Sequence, residues 1–254
     1  MALIKTKEEI TLMRESGKRL AHVLFAVRDA VAPGVTTKEL DLLAEKLIRA
    51  TGDIPPFLDY QPYGAEFPYP ASLCVSVNDE IVHGLPGDRV LVEGDIVGID
   101  LGLAHQGMIT DMAMTVPVGN VGPELEKLLR ITEESLKEGI KVAKGGNRIG
   151  DISFAIESVA KTEGYGVIRE LGGHGVGNKV HEDPYVPNFG PKGKGPLLKP
   201  GMILAIEPMF TLGSRFIKQL KDGYTISTRD GKYSAHFEHT VLITDGDPQV
   251  LTRR

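Results

Sequence analysis

"VGIDLGLAHQGMITDM", residues 97–112, sets two acids, Asp100 and Asp111, into a stretch that otherwise reads as a buried β-hairpin. Val97, Ile99, Leu101 and Leu103 alternate with Gly98, Asp100 and Gly102, so one strand face is apolar and the other carries an acid between glycines. The turn is expected over Ala104–Gly107. A hairpin symmetric about it places Asp100 directly opposite Asp111, with Cβ atoms about 5 Å apart. Two like charges that close repel, and burying either one alone is costly. Either the pair is solvated on an exposed sheet face or something positive sits between the two acids. The hairpin by itself leaves both open.

Composition narrows the field. With 254 residues, 41% hydrophobic and 25% charged, the chain resembles an ordinary globular protein able to bury a substantial core. A net charge of -5 argues against a dedicated nucleic-acid binder. The single cysteine, Cys74, excludes an intrachain disulfide and suits a reducing compartment. Any metal site must therefore be built from histidines and carboxylates. The opening "MALIKTKEEI" has no apolar leader segment, and no apolar run approaches the roughly 18 residues of a membrane span. A cytoplasmic protein is expected.

Outward from the hairpin, the chain repeats a plan. Residues 7–31 read as a helix ended by Pro33-Gly34. "TTKELDLLAEKLIRATG" opens with Thr36 and Glu39 at capping-box spacing and stops at Gly52. Downstream, an amphipathic helix from about Pro123 to Ala143 ends at Gly145-Gly146, and "GDISFAIESVAKTEG" stops at Gly164. The strands repeat too. Leu91, Gly94, Ile96, Ile99 and Asp100 fall on Leu198, Gly201, Ile203, Ile206 and Glu207. Each half then supplies a second acid, Asp111 in "MITDMAMTV" and Glu238 in "SAHFEHTVLIT". A helix-helix-sheet unit used twice brings the two pairs of acids together at a pseudo-twofold axis. Helices against a mainly antiparallel sheet make the fold class α+β. "DIPPFLDYQPYGAEFPYPAS", residues 53–72, shows no period and reads as an ordered loop. Its aromatics are assigned to local packing, with one or two facing substrate as the alternative.

His22 on its helix and His105 in its turn read as structural histidines. His174, wedged between glycines in "LGGHGVGNKVHEDP", has little to pack against and reads as a ligand. Added to Asp100, Asp111, Glu207 and Glu238, it makes one imidazole and four carboxylates. That inventory exceeds one catalytic zinc, which takes about three protein ligands. It suits two divalent ions, whose charge balances the four acids. Manganese, iron(II), cobalt and zinc all fit such ligation. Two such ions lower the pKa of water and polarise a carbonyl, which implies metal-assisted hydrolysis.

"VHGLP" around His83, "GIDLG" with Asp100, "TDMAMT" with Asp111, "GGHGVG" with His174, "VHEDP" with His181, "AIEPM" with Glu207 and "FEHT" with Glu238 resemble the methionine aminopeptidases in order and spacing. The resemblance covers nearly the whole chain. It implies the duplicated pita-bread fold in one catalytic domain, residues 1–254, with halves about 1–119 and 120–254. Asp100 would hold one metal, His174 and Glu207 the other, while Asp111 and Glu238 bridge both. Glu207 would also shuttle the proton, His181 would stabilise the oxyanion, and His83 would contact the scissile amide. The implied substrates are N-terminal Met peptides and nascent chains, met at the ribosome by a monomer with no nucleic-acid or membrane partner.

The short span from His181 to Glu207 and the absence of a zinc-binding extension resemble a minimal type 1 enzyme of bacterial style. The methionine pocket would involve Tyr69, Cys74, Val180 and Tyr224, with Cys74 equally readable as a small buried hydrophobe. Val180 and Tyr224 stand where Phe and Trp are frequent, which implies a roomier pocket. Two rivals compete with this reading. One is a proline-specific aminopeptidase or dipeptidase on the same fold, which usually carries a large extra N-terminal domain. The other is a binding protein that lost catalysis, which should lack ligands that this chain has.

Overall fold

The computed structural model describes residues 4–254, and its first half builds two helices and a three-stranded sheet. Helices α1 (Lys7–Asp29) and α2 (Thr37–Ala50) each begin with a reciprocal Thr–Glu capping box, Thr6 with Glu9 and Thr36 with Glu39. Strand β1 (Leu73–Val77) is followed by the short β2 (Glu80–Val82) and by the long hairpin β3 (Ile96–His105) and β4 (Met108–Pro117). The sheet order is β1-β3-β4, all antiparallel. Leu20 and Leu24 of α1 and Leu40 and Ile48 of α2 are fully buried against Val75, Ile99 and Leu101. Each such side chain is worth about 1.5–3 kcal/mol on burial.

The second half repeats the order. Helices α3 (Pro123–Lys141) and α4 (Ile149–Glu163) precede β5 (Gly166–Val167), β6 (Gly172–Gly175), β7 (Glu182–Pro187), β8 (Ile203–Ile206) and β9 (Met209–Thr211). The chain finishes through β10 (Ile217–Gln219), β11 (Ile226–Thr228), β12 (Ser234–His236), β13 (His239–Leu242) and β14 (Gln249–Val250). Gly164 ends α4 in the left-handed conformation, φ +77°. The main sheet runs β14-β13-β8-β6-β7, and its inner face packs on α3 and α4 through Ile131, Ile152, Ile156, Leu204 and Val241. No described helix is long and apolar enough to cross a membrane.

The hairpin register differs from the expectation. The turn is a two-residue loop, Gln106 and Gly107, both with positive φ (+48° and +84°), so His105 pairs with Met108. That geometry is the mirror-image turn that matches strand twist. It moves the centre of the hairpin, and Asp100 stands opposite Ala113 while Asp111 stands opposite Gly102. The acids are therefore diagonal neighbours. Because the slip changes each partner by two residues, both stay on one face. Two small residues, Gly102 and Ala113, occupy the directly opposed places.

The two halves meet along β4. Thr240 Oγ1 donates to the Asp111 carbonyl (2.7 Å) and accepts the Asp111 N–H (2.9 Å). Thr115 does the reverse service for the second half, bonding the His236 carbonyl and N–H at 2.9 Å each. Between them the Glu238 N–H donates to the Ala113 carbonyl at 2.8 Å. Threonine hydroxyls thus take the places of ladder bonds at a seam, and Phe237 packs against the cores of both halves.

Thr240→Val keeps the shape but orphans two buried backbone groups of Asp111, at about 1–3 kcal/mol each. Denaturant unfolding should show a loss of at least about 2 kcal/mol, largely restored in Thr240→Ser. Unchanged stability in the valine variant would remove the seam from the account.

Candidate active site

The residues expected to hold metal come from five places. Asp100 lies mid-β3 and Asp111 in β4, His174 is in β6, and Glu207 follows β8 directly. Glu238 lies in the break between β12 and β13. The β8–β13 and β9–β12 ladders share one register, with His239 opposite Ile206 and His236 opposite Met209. That register puts Glu207 across from Glu238 in the gap where Pro208 has no N–H for the ladder. All five residues line one cavity of about 760 Å³.

Ligand atoms of Asp111, His174 and Glu238 lie within 4.8 Å of one another. His174 Nε2 is 3.6 Å from Glu207 Oε1. Its Nδ1 donates to the Gly175 carbonyl at 2.9 Å. Since a carbonyl only accepts, Nδ1 carries the proton and Nε2 turns its lone pair to the carboxylates, as a ligating imidazole does. Asp100 Oδ1, Asp111 Oδ1 and Glu238 Oε1 are buried without a hydrogen-bond partner among the described residues. Orphaned buried oxygens are rare because each costs about 1–3 kcal/mol or more.

The electrostatics tell the same story. Burial pushes Asp100 up to about 6, with His236 pulling down and Glu207 pushing further up. Burial, then Asp100, pushes Asp111 well above the usual carboxylate range, and burial, then Asp111, does so for Glu238. Glu207 differs. Burial works to raise it, but the His236 imidazole, 3.4 Å away, together with His174 and His181 leaves it below its ordinary value. An oxygen-rich donor set with one fixed imidazole and unpartnered oxygens fits a divalent cation.

His181 sits at the cavity, its ring centroid 4.5 Å from that of His174. Its Nδ1 meets the Tyr60 hydroxyl at 2.9 Å. Burial, with His174 beside it, lowers its pKa to about 4. His83 also lines the cavity, at a strained φ of +58°, and burial lowers its pKa. Tyr69, Cys74, Val180 and Tyr224 form one buried apolar cluster with Phe57 and Ala71. The Tyr69 hydroxyl is turned away to the Gly84 carbonyl (2.9 Å), and the Tyr224 hydroxyl bonds the Phe67 carbonyl. Phe67 and Tyr69 both meet the Tyr224 ring edge-on, with centroids 5.2 and 5.1 Å away.

Local packing describes part of the aromatics of residues 53–72, with Phe57 and Tyr69 buried in that apolar cluster. Phe57 and Tyr60 line the cavity and Tyr63 is fully exposed; Phe67 packs, but on the pocket residue Tyr224. His236 was also overlooked. It stands two residues before Glu238, and the period of a strand would have put it on the same face. Tyr60 carried no such signal, because a loop has no period. His105 is structural as expected, buried with Nδ1 2.7 Å from Asp53.

Residues 11–245 match metallopeptidase family M24, and the chain is 48% identical over 253 residues to methionine aminopeptidase 1 of Bacillus subtilis, covering all of both chains. The chain belongs to this family. It is 49% identical to the methionine aminopeptidase of Clostridium perfringens, over 99% of each. The crystal structure of methionine aminopeptidase from Rickettsia prowazekii superposes with a TM-score of 0.95 at 36% identity, all of each chain being covered. The prolidase from Pyrococcus furiosus is more distant, with a TM-score of 0.78 at 25% identity, and the chain spans 66% of it. These neighbours carry the pita-bread fold that the resemblance implied, in agreement with the internal repeat.

Folding raises the pKa of Asp100, Asp111 and Glu238, so protonation favours the folded state of metal-free protein. The stability they contribute is complete below the ordinary carboxylate pKa; the Asp100 part is lost as pH rises through about 6, and the Asp111 and Glu238 parts are lost as pH rises through their own raised values. The depressed imidazoles of His83, His181 and His239 act in the opposite sense over the same range, so the comparison between about pH 5 and about pH 7 rests on the effect of added ion on chelator-stripped protein. Added divalent ion should raise Tm, and more so at the higher pH. A Tm insensitive to added ion at either pH would break the electrostatic account.

Proposed function

We propose that this chain hydrolyses the peptide bond after an N-terminal methionine when the second residue is small, using two divalent ions. What carries the reading is the set of buried, unpartnered carboxylate oxygens beside an apolar pocket, in a member of the methionine aminopeptidase family. Asp100 would hold one ion, His174 and Glu207 the other, and Asp111 and Glu238 would serve both. Cobalt, manganese, iron(II) or zinc would suit these donors. When bound, such ions supply Lewis acidity at the scissile carbonyl and lower the pKa of water towards neutrality.

The chain's own residues do the rest. Glu207, ionised because imidazoles outweigh its burial, takes a proton from the attacking water and passes it to the leaving amine. His181 is neutral at pH 7, and in the tautomer whose Nδ1 accepts from the Tyr60 hydroxyl its Nε2–H is free to face the oxyanion. His83 contacts the scissile amide and guides the departing chain. Tyr69, Cys74, Val180 and Tyr224 receive the methionine side chain, which is long, unbranched and polarizable. Phe67 packs edge-on against Tyr224 and supports that wall of the pocket.

Residues 1–254 act as one catalytic domain with halves of about 1–119 and 120–254. The work falls on nascent chains at the ribosome, done by a monomer in the cytoplasm. The proline-specific alternative has less support, since prolidase is 25% identical against 48% for the Bacillus subtilis enzyme.

Two experiments test the reading. Glu207→Gln should lower kcat by about 10²–10⁴-fold, and His181→Ala by about 10²–10³-fold with metal content intact. Wild-type rates would mean that these roles are misassigned. On peptides, kcat/KM for Met-Ala should far exceed that for Met-Lys and Ala-Pro. Leu or norleucine in place of Met should lose only about 1–3 kcal/mol of discrimination. Equal cleavage of Met-Ala and Met-Lys would show the pocket to be misread.

A further inference from the structure

The turn that carries Val180 and His181 is held by a carboxylate that borders the cavity and, behind it, by a lysine outside the cavity lining. Glu182, the next residue, has a side chain 4% exposed, and its Oε1 accepts the backbone N–H groups of Asn178 (2.7 Å) and Lys179 (3.1 Å). The carboxylate therefore closes the turn on itself. Its other oxygen, Oε2, accepts a hydrogen bond from Lys5 Nζ at 2.7 Å, and the Lys5 side chain is 1% exposed.

Lys5 belongs to the segment ahead of α1. That segment is fixed in turn: the Lys5 N–H donates to the Gly201 carbonyl at 2.9 Å, and Ile4 bridges to Met202. Gly177 makes the meeting possible. Its φ is +151°, and a Cβ there would lie 2.5 Å from Lys5 Cε. The Gly177 carbonyl accepts the Ile109 N–H at 2.7 Å, two residues before Asp111. One lysine thus ties the start of the described chain to a turn that faces both the pocket and the carboxylates.

A buried ion pair is a poor way to gain stability, since an apolar pair of similar volume does as well or better. It is a good way to hold one geometry, because every displacement of the turn separates two desolvated charges. Lys5 does not line the cavity. We propose that Lys5 is a positioning residue for the reaction: its ion pair with Glu182 fixes the 178–182 turn and thereby the place of the His181 imidazole and of Val180. This rests on the functional reading given above.

The test uses metal-loaded full-length enzyme and four variants: Lys5→Met, Glu182→Gln, the double Lys5→Met/Glu182→Gln, and Lys5→Met combined with His181→Ala. Lys5→Met should lower kcat on a Met-Ala peptide by about ten- to a hundredfold, the scale of a small misplacement, with metal content unchanged. The neutral double variant, which keeps an oxygen for the two backbone N–H groups, should recover most of the loss. In the His181→Ala background, Lys5→Met should cost almost nothing further. The imidazole nitrogen resonances of His181 should shift in Lys5→Met while those of exposed His22 stay in place. Wild-type kcat in Lys5→Met, or an equal loss with and without His181, would overturn the proposal. Wild-type enzyme inactive on Met-Ala would instead overturn the functional reading, and an unmoved His181 resonance would still overturn this one. Should Lys5→Met fail to fold, Glu182→Gln and the double variant make the same comparison.

Discussion

Four carboxylates converge on one cavity wall, and the geometry around them follows from that crowding. Two unit charges about 4 Å apart repel by about 4 kcal/mol at an effective dielectric constant near 20. Several such pairs would consume much of a domain's net stability of about 5–15 kcal/mol. Protons or dications must neutralise the set. Within the chain, His236 and His174 hold Glu207 below its ordinary value, whereas the pull of His236 on Asp100 does not overcome burial. The fold therefore makes a place that is unfavourable when empty and charged, and two packed cores supply the energy that holds it open.

Much of this was legible in the residues. Alternation along 97–103 showed a strand with an acid on its second face, and the matching spacing of Glu207 showed the plan used twice. What misled was the turn. Ala104-His105-Gln106-Gly107 allows two centres, and only Gly107 with Gln106 in the left-handed region selects the observed one. A composition-based reading cannot weigh a backbone angle. The loop 53–72 was opaque for a related reason: without periodicity, nothing in the sequence says that Tyr60 reaches His181 while Tyr63 points into solvent.

The seam between the halves shows how a duplicated plan becomes one site. Thr240 of the second half satisfies the backbone of Asp111 in the first, and Thr115 returns the arrangement to His236. Each hydroxyl both donates and accepts, so neither strand needs a continuous ladder there. Ligand atoms of Asp111 and Glu238 come within 4.8 Å of each other across this seam.

The order of the donors along the chain has a consequence for how the protein is made. Asp100 and Asp111 are neighbours on one hairpin, but His174, Glu207 and Glu238 follow only as the second half is added, and Glu238 trails Asp100 by more than half the chain. Contacts of such wide sequence separation form late, because loop closure must precede them. A cation consequently cannot template early collapse, as it does in small zinc domains. It is captured by a nearly finished set of donors, in the same cavity that Tyr60 and Tyr185 line. Cofactor loading and substrate binding then share one cavity, so a peptide already seated there obstructs the arrival or escape of metal.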